Sequence, residues 1–233
     1  MSGPGQRQLP LPVQLRDEAT LANFLPLPGN RGLLNALVRH LDDAGETVIY
    51  LFGAAGTGKS HLLQASCHRV GAGSLYLPLA ALTDYSPGEV LEGIEALDLV
   101  CLDDVHRVLG DPDWERALFN LYNEARQRNC RLLVAGNAAP RALRMDLADL
   151  RSRLGWGMVF QLAQSGDEDK IAILRFRASR RGLQLSGEVA AFIVNRASRS
   201  LEALLETLEI LDNASLAEQR ALSIPFVKQV LGW

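Results

Sequence analysis

Three cysteines, three methionines and an aromatic content of 6% in 233 residues leave several kinds of protein out of reach. Cys67, Cys101 and Cys130 have neither paired nor metal-ligand spacing, and Cys101 lies inside an apolar run. The thiols are therefore expected to be reduced and buried, as suits a reducing compartment. His68 and His106 have no companions at ligand spacing, which leaves no histidine-based metal site in the pattern. Positive charge is not in excess: 24 Lys and Arg stand against 27 Asp and Glu, a net charge of −3. No global field draws such a chain to nucleic acid, so any dealing with DNA is expected to be local or indirect. No stretch approaches ~18 uninterrupted apolar residues, and residues 1–8 carry no apolar core of the signal-peptide type. The expectation is a soluble cytoplasmic protein with no membrane contact.

What is present reads as an ordinary globular chain, 48% hydrophobic and 22% charged, so extensive disorder is not expected. Its length suits one sizeable α/β core, or a core with a small second unit. Residues 1–19 are rich in Pro and Gly, polar apart from residues 9–13, and read as a flexible tail. From residue 20 to 164 two patterns alternate: helical at 32–41, 61–70, 87–97 and 112–128, strand-like at 47–52, 74–79, 98–103, 131–136 and 157–162. Uninterrupted apolar strands such as Leu99, Val100, Cys101 and Leu102 point to a parallel sheet covered on both faces. In such a sheet ligands sit beyond the C-terminal ends of the strands. Trp114, Leu118, Leu121, Tyr122 and Ala125 recur at helical spacing and are expected in the core. Residues 165–233 show helical patterns alone. One runs from 167 to 181 and stops at Gly182, Ser186 caps another at 188–197, and a third begins at 201 and reaches 211. An Ala/Glu-rich stretch then leads to Ala221, and Pro225 opens a final helix to 231.

The chemistry concentrates in Gly53, Ala54, Ala55, Gly56, Thr57, Gly58, Lys59 and Ser60, a complete G-x-x-x-x-G-K-[ST] loop between an apolar strand and a helix that begins at His61. Glycines let successive amide N–H groups turn toward phosphate oxygens, Lys59 reaches the terminal phosphates, and the Ser60 hydroxyl is a ligand for Mg²⁺. The positive end of the following helix faces the same anion. A second apolar strand ends in Asp103 and Asp104. Asp103 stands where a carboxylate holds Mg²⁺ through its water shell, and Asp104 where an acid activates water, with a side chain one methylene shorter than Glu. Asn137 follows the next buried strand, placed to hydrogen-bond a terminal phosphate or the attacking water; read locally, it is equally a turn residue.

These motifs, in this order, resemble the AAA+ ATPases and, within them, the DnaA-related replication proteins. The loop with His61, Leu62, Leu63 and Gln64 looks like their Walker A, residues 102–106 like Walker B, and residues 134–137 like sensor 1. Residues 20–24 followed by Asn30 are similar to the segment that packs near the adenine. Residues 149–157 look like the box that carries the arginine finger, here Arg153, and Arg199 aligns with the sensor 2 arginine of the lid. The resemblance runs from about residue 20 to the C-terminus. It implies a five-stranded parallel sheet flanked by helices over residues 20–164, a helical lid over 165–233, and binding of ADP or ATP with Mg²⁺.

DnaA initiators continue into a DNA-reading helix-turn-helix domain, whereas this chain stops at Trp233. Its tail carries Gln8, Leu9, Pro10, Leu11 and Pro12, similar to the pentapeptide by which bacterial proteins dock on the DNA polymerase III sliding clamp (beta subunit). Pro10 departs from the commoner Ser or Asp. The combination resembles the regulatory inactivators of DnaA. It implies an adaptor that holds adenine nucleotide, has weak ATPase activity of its own, binds clamp and DnaA, and promotes hydrolysis of DnaA-bound ATP through Arg153 in trans. Replication initiation would thereby be restrained. Homodimers or larger oligomers fit the same family, with DNA reached only indirectly. Arg151 is the next candidate for the finger. A DnaA-like helicase loader or transposition helper, hydrolysing ATP on its own account, is the alternative; a small-molecule P-loop kinase fits less well.

Overall fold

The computed structural model describes residues 15–42, 45–198 and 200–233. Its centre is a parallel sheet of β1 (Val48–Phe52), β2 (Ser74–Pro78), β3 (Leu99–Asp103), β4 (Arg131–Gly136) and β5 (Met158–Gln161), in the spatial order β2-β3-β4-β1-β5. Alternation along the strands decides what lies on each face. Tyr50, Leu77, Val100, Leu102, Leu132 and Val134 project into a core shared with α3 (Pro87–Leu91), α4 (Pro112–Arg128) and α5 (Ala148–Leu154). Ile49, Leu51, Tyr76, Leu99, Cys101, Leu133 and Ala135 face the other way, against α1 (Arg31–Leu41) and α2 (Lys59–Val70). β3 and β4 are buried at every position, which is why they read as continuous apolar runs. The three cysteines are free and buried, as their spacing suggests.

The chain crosses from β1 to the edge strand β2, returns through β3 and β4, and places β5 on the other side of β1. The crevice beyond its C-terminal end, where such sheets hold ligands, is where residues 53–58 lie. Beyond the sheet, α6 (Asp167–Arg180), α7 (Gly187–Arg196), α8 (Leu201–Glu218) and α9 (Ile224–Leu231) enclose a separate core of Leu174, Ile193, Leu204, Leu208, Leu211 and Phe226. Ser186 and Ser223 cap α7 and α9, accepting from the Val189 and Phe226 amides.

Local differences from the sequence pattern are instructive. The segment 87–97 is not one helix: the chain leaves α3 at Glu92, and a 3-10 turn follows at Ile94–Ala96. α8 does not stop at 211 but runs to Glu218, where Gln219 turns into the left-handed region. α5 has no counterpart in the pattern. Nor are residues 15–19 a loose end of the tail, since Ala19 is buried and Arg16 N–H donates to Gln64 Oε1 at 2.9 Å.

Candidate nucleotide site

A cavity of about 710 Å³ opens where the loop, the strand ends, the segment 16–30 and the helical unit meet. Gly56, Thr57, Gly58, Lys59, Ser60, His61, Asp103, Asp104 and Asn30, all expected at such a site, lie on its wall. Gly53, Ala54 and Ala55 build the loop behind it. Gly58 has φ +96, which favours glycine, and an added Cβ would press on the Phe24 ring at 3.0 Å. Thr57 donates its hydroxyl to the Ala54 carbonyl at 3.0 Å, tying the loop across its base. Lys59 Nζ donates to the Gly53 and Ala54 carbonyls at 2.9 and 2.8 Å. Burial pulls the Lys59 pKa down, opposed by the carboxylates of Asp104 and Asp103.

Asp103 is buried; its Oδ2 accepts from the Tyr76 hydroxyl at 2.7 Å and its Oδ1 from the Asp104 amide at 2.9 Å. Burial raises its pKa, against hydrogen bonds from Ser60 and Tyr76 that favour the ionised form. Ser60 and Asp103 thus bring a hydroxyl and a carboxylate together. Among the described residues no group of three or more His, Cys, Asp and Glu could hold a metal by itself. A hard-oxygen pair of this kind fits Mg²⁺, which keeps several waters and takes phosphate oxygens as further ligands. Asp104 sits at φ 52, in the left-handed region, with its Oδ1 4.0 Å from His106 Nδ1.

The far wall comes from residues that local sequence pattern did not single out. Glu18 accepts from Arg177 of α6 at 2.5 Å and also pairs with Arg181, while Arg177 reaches the Asn23 carbonyl at 3.2 Å. Burial lowers the Arg177 pKa, with Glu18 opposing. His61 Nε2 lies 2.9 Å from the Thr20 carbonyl, which places the proton of the neutral ring on that nitrogen. Burial holds the His61 pKa below its ordinary value. The segment 16–24 therefore staples α2 to the helical unit along one side of the cavity.

Two expected residues stand elsewhere. Asn137 is exposed just after β4 and does not line the cavity. Arg153, on α5, is also off its wall; its guanidinium lies 3.9 Å from the centre of the Trp156 ring and 5.6 Å from that of Phe119. Arg151 instead donates to the Met145 carbonyl at 2.8 Å. Arg199, Gln8, Leu9, Leu11 and Pro12 lie outside the described residues.

A family model for the lid domain of Hda matches residues 167–231. An uncharacterized protein of Haemophilus influenzae is 42% identical over 229 residues, covering 97% of this chain and 98% of that one. Domain III of the Thermotoga maritima replication initiation protein DnaA superposes with a TM-score of 0.77 at 22% identity, covering 94% of this chain and 98% of that chain. AMPPCP-bound DnaA from Aquifex aeolicus gives 0.71 at 21% identity, over 84% of this chain and 66% of the other.

Proposed function

The chain belongs to the DnaA-related AAA+ proteins of the Hda type, and from that premise we propose that it is a nucleotide-holding adaptor that acts on another protein's bound ATP. The observation that carries the proposal is the separation of Arg153 from the chain's own cavity wall. A finger that serves its own site has to reach that site's phosphates. One that serves a partner is carried on another surface, and Arg153 on α5 fits the second description.

In this reading Lys59 and the N-terminal end of α2 balance the phosphates of ADP or ATP, and Ser60 and Asp103 hold Mg²⁺. Bound nucleotide supplies anionic and aromatic groups that join base to lid. Asn30 and Phe24 shape the base-side pocket, Glu18 with Arg177 and Arg181 closes the lid side, and Arg199 is the lid arginine directed to the phosphates. Asp104 supports at most slow hydrolysis in cis, without Asn137, which lies off the cavity wall. Arg153 enters the ATP site of DnaA, where an added arginine offsets charge on the transferring phosphoryl group, an effect worth about 10³–10⁵ in rate. Gln8, Leu9, Leu11 and Pro12 dock the tail on the DNA polymerase III sliding clamp, the leucines as apolar anchors and the prolines limiting the entropy lost. The outcome is restraint of replication initiation in the cytoplasm.

The test is retention on immobilised clamp together with the hydrolysis rate of the isolated protein. Leu9→Ala with Leu11→Ala should abolish retention and leave nucleotide binding intact. Unchanged retention, or rapid hydrolysis by the isolated chain stimulated by single-stranded DNA, would instead mark a loader.

A further inference from the structure

We infer that Trp156 is the positioning residue for Arg153, an inference that rests on reading Arg153 as the finger that acts in trans. Trp156 is 53% exposed, unusual for a side chain with so much apolar area to shelter. What covers it is charge. The Arg153 guanidinium stands 3.9 Å from the ring centre and that of Arg126, from α4, stands 4.8 Å from it. Such distances place both cations within reach of the ring's quadrupole.

The ring is held by its backbone. The Trp156 amide donates to the Arg153 carbonyl at 3.1 Å, and the Gly155 amide lies 3.3 Å from the Arg151 carbonyl and 3.2 Å from that of Ser152, so the turn closes directly on the end of α5. On the other side, a Cβ on Gly157 would meet the Val48 carbonyl at 1.9 Å, which presses the chain against β1 as β5 begins. Trp156 is thus fixed between a helix end and an edge strand.

The contact has properties that a salt bridge lacks. Among the described residues no carboxylate pairs with Arg153, so extending it toward a phosphate breaks no ion pair. A flexible arginine loses rotamer freedom when it is ordered at a transition state. An aromatic face that already confines the guanidinium removes part of that loss without neutralising the charge. In this proposal the guanidinium keeps one face on the ring while its edge meets the phosphate, and Arg126 stays beside the ring as a second positive charge.

The test compares Trp156→Phe, Trp156→Leu and Arg153→Ala in the full chain. Maximal stimulation of hydrolysis of DnaA-bound ATP is measured apart from the concentration that gives half of it, and the Arg153 Nε–Hε resonance is followed by NMR. Trp156→Leu keeps apolar volume but has no π face. It should lower the maximal rate about three- to thirtyfold, the range a lost cation–π contact commands, leave the half-maximal concentration unchanged, and remove the ring-current shift of the Arg153 resonance. Trp156→Phe should retain most of both. The inference is overturned if Leu and Phe behave alike, or if Leu stimulates as the wild type does while Arg153→Ala is inactive. Should Arg153→Ala stimulate normally, the finger assignment itself fails and takes the inference with it; that result is told apart because the resonance still responds to position 156.

Discussion

Glu18 accepts a hydrogen bond from Arg177 at 2.5 Å across the cavity, joining the segment 16–24 to α6, the first of the C-terminal helices. Arg177 is buried at 6% exposure, whereas half of the Glu18 side chain meets solvent. The arginine has therefore exchanged most of its water for this carboxylate and the Asn23 carbonyl.

Glu18→Ala leaves that buried guanidinium with a single acceptor. The expected cost is about 1–3 kcal/mol in denaturant unfolding, kept toward the lower end by the solvent around Glu18. Nucleotide affinity should fall as well, because base and lid lose a tie beside the cavity. An unfolding midpoint equal to the wild type's would show that Glu18 carries no structural load.

Asp103 gives a prediction of opposite sign. Burial raises its pKa above the ordinary carboxylate value, so its stabilising contribution is present at low pH, where it is protonated, and is lost as pH rises through the folded value. At neutral pH the buried charge opposes folding. Asp103→Asn, with the Tyr76 hydroxyl turning to accept, should be more stable than wild type at pH 7 in chelator and should lose Mg²⁺-dependent tightening of nucleotide binding. Denaturant titrations at several pH values check it; a less stable variant contradicts it.

For His61 the sign reverses again. Its folded pKa is depressed by burial, so as pH drops below about 6.5 the unfolded chain takes up the proton first and stability declines. His61→Gln keeps a donor for the Thr20 carbonyl and should flatten that part of the stability profile. A variant with the same slope would assign the titration to another histidine.

Asp104 lies at φ 52, which glycine adopts without strain. Asp104→Gly should fold, bind nucleotide, and lose whatever slow intrinsic turnover the chain has. Under the proposal that Arg153 acts in trans, the variant's stimulation of DnaA should be unchanged. Steady-state hydrolysis with and without DnaA separates the two.

The strands, the phosphate loop and the acidic strand end were legible because each is written locally: apolar runs where both sheet faces are covered, glycines where amides turn toward an anion. α5 was not. It has seven residues, and the segment before it is held by the buried carboxylate of Glu115, which accepts from the amides of Gly110, Asp146 and Leu147. That contact joins residues far apart in sequence and leaves no periodic trace. Arg177 and Arg181 escaped notice for the same reason: on α6 and at its C-terminal cap they look like solvated residues until the partner, Glu18, is brought across the cavity. Tyr76 reads simply as a strand aromatic, although its hydroxyl holds Asp103.

The most direct measurement is single-turnover hydrolysis of ATP preloaded on DnaA, with sliding clamp on DNA and either wild-type protein or Arg153→Ala. An arginine supplied in trans predicts that Arg153→Ala still joins the complex while stimulation falls by about 10³-fold or to the unstimulated rate. Full stimulation by Arg153→Ala would contradict the account.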